Sequence, residues 1–203
     1  MKLGILGAGS FGTALAIVSA ENFENIWLWS HSSDVARDIR TNGENRVYLS
    51  GIKIPEKVKP TDNLEETLRG ADVVLSVIPT QATREVWSRA RNFIQPQTRI
   101  VIASKGIECN THQLLSQIMM EVLGDNFREN LFFLSGPSFA REIADRRPTA
   151  ITIAGYNSEA VPEIQAMFFT DFFRTYGTND VIGVQLGGAI KNVIAIAVGI
   201  SDG

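Results

Sequence analysis

The chain has 203 residues, with 19 Lys or Arg against 22 Asp or Glu and a net charge of -3. That balance supplies no basic excess for a nucleic-acid surface, and an apolar fraction of 44% is that of an ordinary globular protein. The single cysteine, Cys109, excludes an internal disulfide and points to a reducing, cytoplasmic setting.

The first element is a short apolar run, Leu3-Gly4-Ile5-Leu6, which reads as a buried strand. Gly7-Ala8-Gly9-Ser10-Phe11-Gly12 follows it, and Thr13 to Val18 starts a helix. This is the strand, glycine turn and helix setting of a dinucleotide-binding fingerprint. Gly7 permits the tight turn, Gly9 lets backbone approach a pyrophosphate, and Gly12 lets the helix pack close to the strand. The helix N-terminus offers free N–H groups to the phosphates. Residues 1–20 carry one Lys and then this turn, so they do not read as a signal peptide.

Asn25 to Trp29 is a second strand, and Ser33 to Arg40 a helix capped by Ser32 or Ser33. Residues 43–57, broken by Gly43, Gly51 and Pro55, read as a loop. Asn63 to Arg69 is a short helix stopped by Gly70. Ala71 to Val77 is a strand, and Pro79 opens a helix running to about Phe93. Thr98 to Ala103 is a strand and Thr111 to Leu123 a helix; Leu131 to Leu134 and Ala150 to Ala154 are further strands. The alternation argues an α/β, Rossmann-type doubly wound sheet, mainly parallel, over residues 1–180. Residues 181–203 differ, because Val181 to Ile200 is almost wholly apolar. Its length suffices for a membrane span. Lys191 and Asn192 at its centre favour a helix buried in protein instead.

Candidate chemistry follows the strand ends. An NAD-selective site usually carries an acid about 20 residues past the glycine turn. Here that region is Trp29-Ser30-His31-Ser32-Ser33, without one. His31 either stacks on an adenine or is a solvated loop residue. Lys105 stands just past a strand, where ligands of open sheets collect, as an anion contact or a plain surface lysine. Ser135 to Ala140 also follows a strand; Gly136 brings backbone close to a ligand and Ser138 is a donor or a cap, though a simple strand-to-helix turn accounts for these residues too. Lys191 is the least ordinary residue: Gln185, Gly188 and Lys191 share one helix face, and burial draws a lysine towards the range useful for proton transfer. No cluster of Cys, His and acids has metal-ligand spacing, and His31 with His112 suggests no triad.

These blocks together resemble the bacterial NAD(P)-dependent sn-glycerol-3-phosphate dehydrogenases. The matching stretches are GAGSFGTALA at 7–16, NRVYL at 45–49, KGIE at 105–108, LSGPSFARE at 134–142 and GGAIKNVIAIAVGISDG at 187–203. The resemblance implies reversible reduction of dihydroxyacetone phosphate to sn-glycerol 3-phosphate with NAD or NADP. It also implies a cytoplasmic role in phospholipid synthesis and a homo-oligomer without a membrane span. To the cofactor glycines Gly7, Gly9 and Gly12 of the fingerprint it adds, position by position, cofactor contacts at Ser10, Phe11, His31, Tyr48 and Ala140. Lys105 is then shared by cofactor and substrate, Gly136 and Ser138 touch substrate, and Lys191 is the general acid/base.

Two departures accompany the resemblance. Leu49 is followed by Ser50-Gly51 where the family commonly has proline, which loosens the expected Tyr48 contact. The family also continues into an all-helical domain that brings further substrate residues, so residues 181–203 are expected to open that domain and the site to be incomplete. Two other readings remain at this level. One is a 3-hydroxyacid dehydrogenase of related architecture; the other is a nucleotide-binding module without turnover.

Overall fold

A computed structural model describes every residue from Met1 to Gly203. The chain runs β1 (Lys2–Leu6), α1 (Ser10–Ser19), β2 (Asn25–Trp29), α2 (Ser33–Asn42), β3 (Glu44–Asn45), β4 (Leu49–Lys53), β5 (Val58–Thr61) and α3 (Leu64–Leu68). It continues β6 (Val73–Ser76), α4 (Thr80–Ala90), β7 (Arg99–Ile102), α5 (Leu115–Leu123), β8 (Leu131–Ser135) and α6 (Ala140–Ala144). It ends β9 (Thr149–Gly155), α7 (Val161–Phe168), β10 (Phe173–Thr178) and α8 (Val181–Asp202).

Eight strands form one sheet in the order β10-β9-β8-β7-β6-β1-β2-β5. The inner strands β1, β6, β7 and β8 are buried along nearly their whole length. That suits their unbroken apolar runs, since a parallel sheet is covered on both faces. One face packs on α1, α2, α6 and α7 through Leu15, Ile39, Ile143 and Phe168. The other packs on α3, α4, α5 and the start of α8 through Leu68, Trp87, Ile118 and Val181. The doubly wound, mainly parallel reading therefore holds.

The differences from the sequence reading have physical causes. Residues 43–57 are not simply a loop: β3 and β4 pair there as a small antiparallel ribbon. The helix expected from Thr111 begins at Leu115, because the chain before it turns back on Glu108. Two edge strands, β5 and β10, escaped the pattern reading. Pro60 argues against a strand in β5, yet an edge strand tolerates proline because one side needs no ladder partner. In β10, buried Phe173 and Thr175 alternate with exposed Arg174 and Tyr176.

The largest topological departure is β9, which pairs antiparallel with β8. Every other pairing in the large sheet is parallel. This one reversal sets the direction of α8. Because β9 and β10 run against the central strands, α8 starts at their far end and climbs back along β8 and β9. Asp180 caps it by accepting from the Gly183 N–H at 2.8 Å. Gln185 locks its second turn: its Oε1 accepts from the Ser116 N–H at 2.9 Å and its Nε2 donates to Ser116 Oγ at 3.1 Å.

Past Lys191 every residue of α8 is exposed. The expectation of a helix buried in protein holds only for its first turns, since Val181 and Gln185 alone are buried. Its length and composition also suffice for a membrane crossing. Ile190, Val193, Ile194, Ile196, Val198 and Ile200 are exposed. A contiguous apolar face of this kind promotes association. These 203 residues alone are therefore expected to self-associate in dilute buffer. Light scattering showing a monomer at high concentration would count against this.

Candidate active site at the strand ends

The glycine turn is built as its residue types require. Gly7 has φ +115°, a conformation L side chains rarely adopt, and its N–H donates to the Trp29 carbonyl at 3.0 Å. A Cβ on Gly12 would lie 1.9 Å from the Gly7 carbonyl oxygen, so α1 passes the turn at backbone contact. A Cβ on Gly9 would meet nothing within 4 Å. Gly9 is also the N-cap of α1 and no side chain caps that end. A dinucleotide pyrophosphate fits this turn: free N–H groups face an open approach that only a small residue leaves clear.

The end of β2 and the β3–β4 ribbon lie beside the glycine turn. His31, exposed, sits edge-on to Trp29 at 6.4 Å between ring centroids. Ser32 caps α2 by accepting from the Val35 N–H at 3.4 Å. Asn45, fully buried, ties the ribbon to the glycine turn. Its Nδ2 donates to the Ala8 carbonyl at 2.9 Å and to Thr13 Oγ1 at 2.8 Å. Its Oδ1 accepts from the Tyr48 N–H at 3.1 Å, which holds Tyr48 beside the turn with its ring exposed. Asn45 belongs to the NRVYL stretch, but only its long-range contacts single it out.

Two neighbouring cavities follow at the ends of β6, β7 and β8. One, of about 390 Å³, is lined by Ser10, Phe11, Pro79, Lys105, Ser138 and Ala140, among others. The second, of about 360 Å³, is lined by Gly136, Thr152, Gly187, Gly188 and Lys191, among others. Larger hollows lie beside Trp27 and beside Asn63, away from all of these residues. Ser10 and Phe11 of the glycine turn, Lys105, Ser138 and Ala140 thus share one cavity wall, while Gly136 and Lys191 line the next. His31 and Tyr48 line neither cavity.

The two lysines are placed alike. Lys105 Nζ lies 4.8 Å from the centroid of the Phe11 ring, and Lys191 Nζ lies 5.7 Å from that of Phe139. Burial lowers Lys105 below the ordinary lysine value, and the nearby charge of Lys191 lowers it further. Lys105 and Lys191 are both half-buried. Gly188 sets their approach. A Cβ there would sit 2.7 Å from Ser135 Oγ and 3.4 Å from Lys105 Cγ. Ser138 is buried, and its hydroxyl donates to the Gly136 carbonyl at 3.4 Å.

The chain is similar to other proteins over its whole length. A family described as NAD-dependent glycerol-3-phosphate dehydrogenase N-terminus matches residues 2–161, and its C-terminus counterpart matches 180–203. A protein of Citrifermentans bemidjiense named glycerol-3-phosphate dehydrogenase (NAD(P)+) is 45% identical over 202 residues, which are 100% of this chain and 60% of that protein. One of Myxococcus xanthus with the same name is 45% identical over 203 residues, 100% of this chain and 61% of the relative. The crystal structure of a glycerol-3-phosphate dehydrogenase from Coxiella burnetii superposes with a TM-score of 0.90 at 37% identity, covering 99% of this chain and 61% of that one. The chain thus spans about 60% of the length of these relatives. With the glycine turn, the two lysines and the opening of α8 all inside the matched residues, the chain belongs to the NAD-dependent glycerol-3-phosphate dehydrogenase family.

Proposed function

We propose that the protein reduces dihydroxyacetone phosphate reversibly to sn-glycerol 3-phosphate with NADH or NADPH. The observation that carries this reading is the convergence of Lys105 and Lys191 on adjoining cavities beside the glycine turn. Residues 1–180 form the cofactor domain, and 181–203 open a helical substrate domain. When bound, the reduced nicotinamide supplies the hydride. Gly7, Gly9, Ser10, Phe11 and Gly12 hold its pyrophosphate, with His31 and Tyr48 on the adenosine side and Ala140 and Lys105 further along. Lys105, Gly136 and Ser138 hold the phosphorylated substrate, a site whose two positive charges suit an anion. As the ketone carbon is reduced its oxygen gains negative charge. The Lys191 ammonium stabilises that charge and delivers a proton to the same oxygen.

The product is a phosphate ester suited to membrane phospholipid assembly, made by a cytoplasmic homo-oligomer. Cys109, free and exposed, is compatible with a reducing compartment. The test is oxidation of NADPH by the intact protein on addition of dihydroxyacetone phosphate, with 3-hydroxy acids assayed in the reverse direction beside it. Turnover of a 3-hydroxy acid without turnover of the phosphate ester would overturn the assignment.

Cofactor choice follows from the end of β2. With no acid at Ser30 to Ser33, a 2′-phosphate meets no repulsion, so discrimination between NADH and NADPH is expected to be weak. Ser32→Asp should shift preference towards NADH and keep the helix capped, because aspartate is an equally good N-cap. Titration of both cofactors checks this. A native preference for NADH of about a hundredfold, or ~2.7 kcal/mol, would contradict it.

A further inference from the structure

The loop that carries Lys105 is held from the side by α4. Thr80 Oγ1 donates to the Lys105 carbonyl at 2.9 Å. Gln81 grips the next turn twice: its Nε2 donates to the Ile107 carbonyl at 2.9 Å, and its Oε1 accepts from the Cys109 N–H at 2.9 Å. One turn further along α4, Arg84 meets the Glu108 carboxylate with two donors, Nε at 3.1 Å and Nη2 at 2.9 Å. Glu108 is buried, and its carboxylate also accepts from the Thr111 hydroxyl. Arg84 reaches on to Glu121 Oε2 at 2.8 Å and Gln113 Oε1 at 2.6 Å.

This set has more geometry than stability to offer. A buried ion pair adds little net stability, because desolvation offsets most of its attraction. What a two-pronged guanidinium–carboxylate contact does give is direction. Direction is what this loop needs. Gly106, between Lys105 and Glu108, has φ +134°, and a Cβ there would lie 3.1 Å from Thr80 Oγ1, so the turn passes α4 at close range. Lys105 is desolvated and repelled by Lys191, so its own surroundings work against its placement.

We propose that Arg84 and Glu108 are positioning residues: their ion pair, with Gln81, fixes the 105–108 turn and thereby holds the Lys105 ammonium on the wall of the cavity it shares with Ser138. The proposal rests on the reading of Lys105 as a substrate contact. It follows that Glu108 acts on the reaction only through Lys105. Misplacement of a positioned group by about 1 Å can cost on the order of 10²-fold, and partial loosening less.

The test is a double-mutant cycle in the intact protein, with dihydroxyacetone phosphate and NADPH as substrates. Glu108→Gln keeps the shape and removes the charge. In the otherwise native enzyme it should lower kcat/KM roughly tenfold, chiefly through KM for dihydroxyacetone phosphate. On a Lys105→Ala background the same substitution should change kcat/KM less than about twofold, since coupled sites are not additive. Equal losses on both backgrounds, or no loss in the native one, overturn the proposal. If Glu108→Gln does not fold, Gln81→Ala, at an exposed position, takes its place in the cycle. If Lys105→Ala turns over too slowly, the affinity for sn-glycerol 3-phosphate in the presence of NADPH is compared across the same four proteins. A parent enzyme without dihydroxyacetone phosphate-dependent NADPH oxidation overturns the proposed function itself, which separates the two failures.

Discussion

Lys191→Ala in the intact protein is expected to lower kcat by on the order of 10²–10⁴, the usual size of a general acid–base contribution. Lys191 lies on the wall of the second cavity, where α8 still runs beside Ser135 and Thr152. Nothing in the fold depends on it: it forms no salt bridge, and its ammonium rests over the Phe139 ring. Thermal stability should therefore hold within about 0.5 kcal/mol, as for other substitutions away from the core. Cofactor affinity should hold as well, because the glycine turn is untouched. Lys191→Arg should restore little, since a guanidinium stays protonated and cannot accept the proton in the reverse reaction. Steady-state kinetics of the three proteins check this. Near-parental kcat in Lys191→Ala would remove Lys191 from the chemistry.

The second large effect is a contrast between two glycines of one turn. Gly9→Val should leave the fold intact and weaken NADPH binding by about a hundredfold or more, ~2.7 kcal/mol. The backbone at Gly9 is extended, with φ -74° and ψ -176°, and its missing Cβ faces open space. A branched side chain fits there until a pyrophosphate must occupy the same volume. Gly12→Ala should do the reverse and strike the fold. Its Cβ would lie 1.9 Å from the Gly7 carbonyl oxygen, which is backbone and cannot swing aside. Either β1 and α1 move apart or the turn opens, at a cost of about 1–3 kcal/mol for overpacking of this kind. Thermal denaturation and cofactor titration on both variants separate the two roles. Tight NADPH binding by Gly9→Val would refute the assignment of this turn to a cofactor.

What was legible in the chain was local. The strand, glycine turn and helix at 3–18 lie within one short stretch, so their signal survives without a third dimension. The same holds for the apolar runs of β1, β6, β7 and β8, whose continuity reports burial on both faces. The helix from Val181 and the oddity of a lysine within it were equally readable. So were the strand-end positions of Lys105 and Ser135 to Ala140, since strand order in sequence already says which residues follow an apolar run.

Contacts between distant segments were decided only by the tertiary structure. Periodicity describes the face of an element, not its partner, so the antiparallel pairing of β9 with β8 had no local signature. Yet that pairing turns α8 around and brings Gly188 against Ser135 and Lys105. Glu108 reads in the sequence as one more acid in a polar loop. Its burial and its grip on Arg84, 24 positions away, exist only once α4 lies beside the loop. Desolvation followed the same rule. Lys105 sits in a polar stretch, but the fold closes Phe11 and α8 around it. Sequence determined which groups the protein carries to its strand ends. Packing determined which of them lose water, because burial depends on segments that meet only after folding.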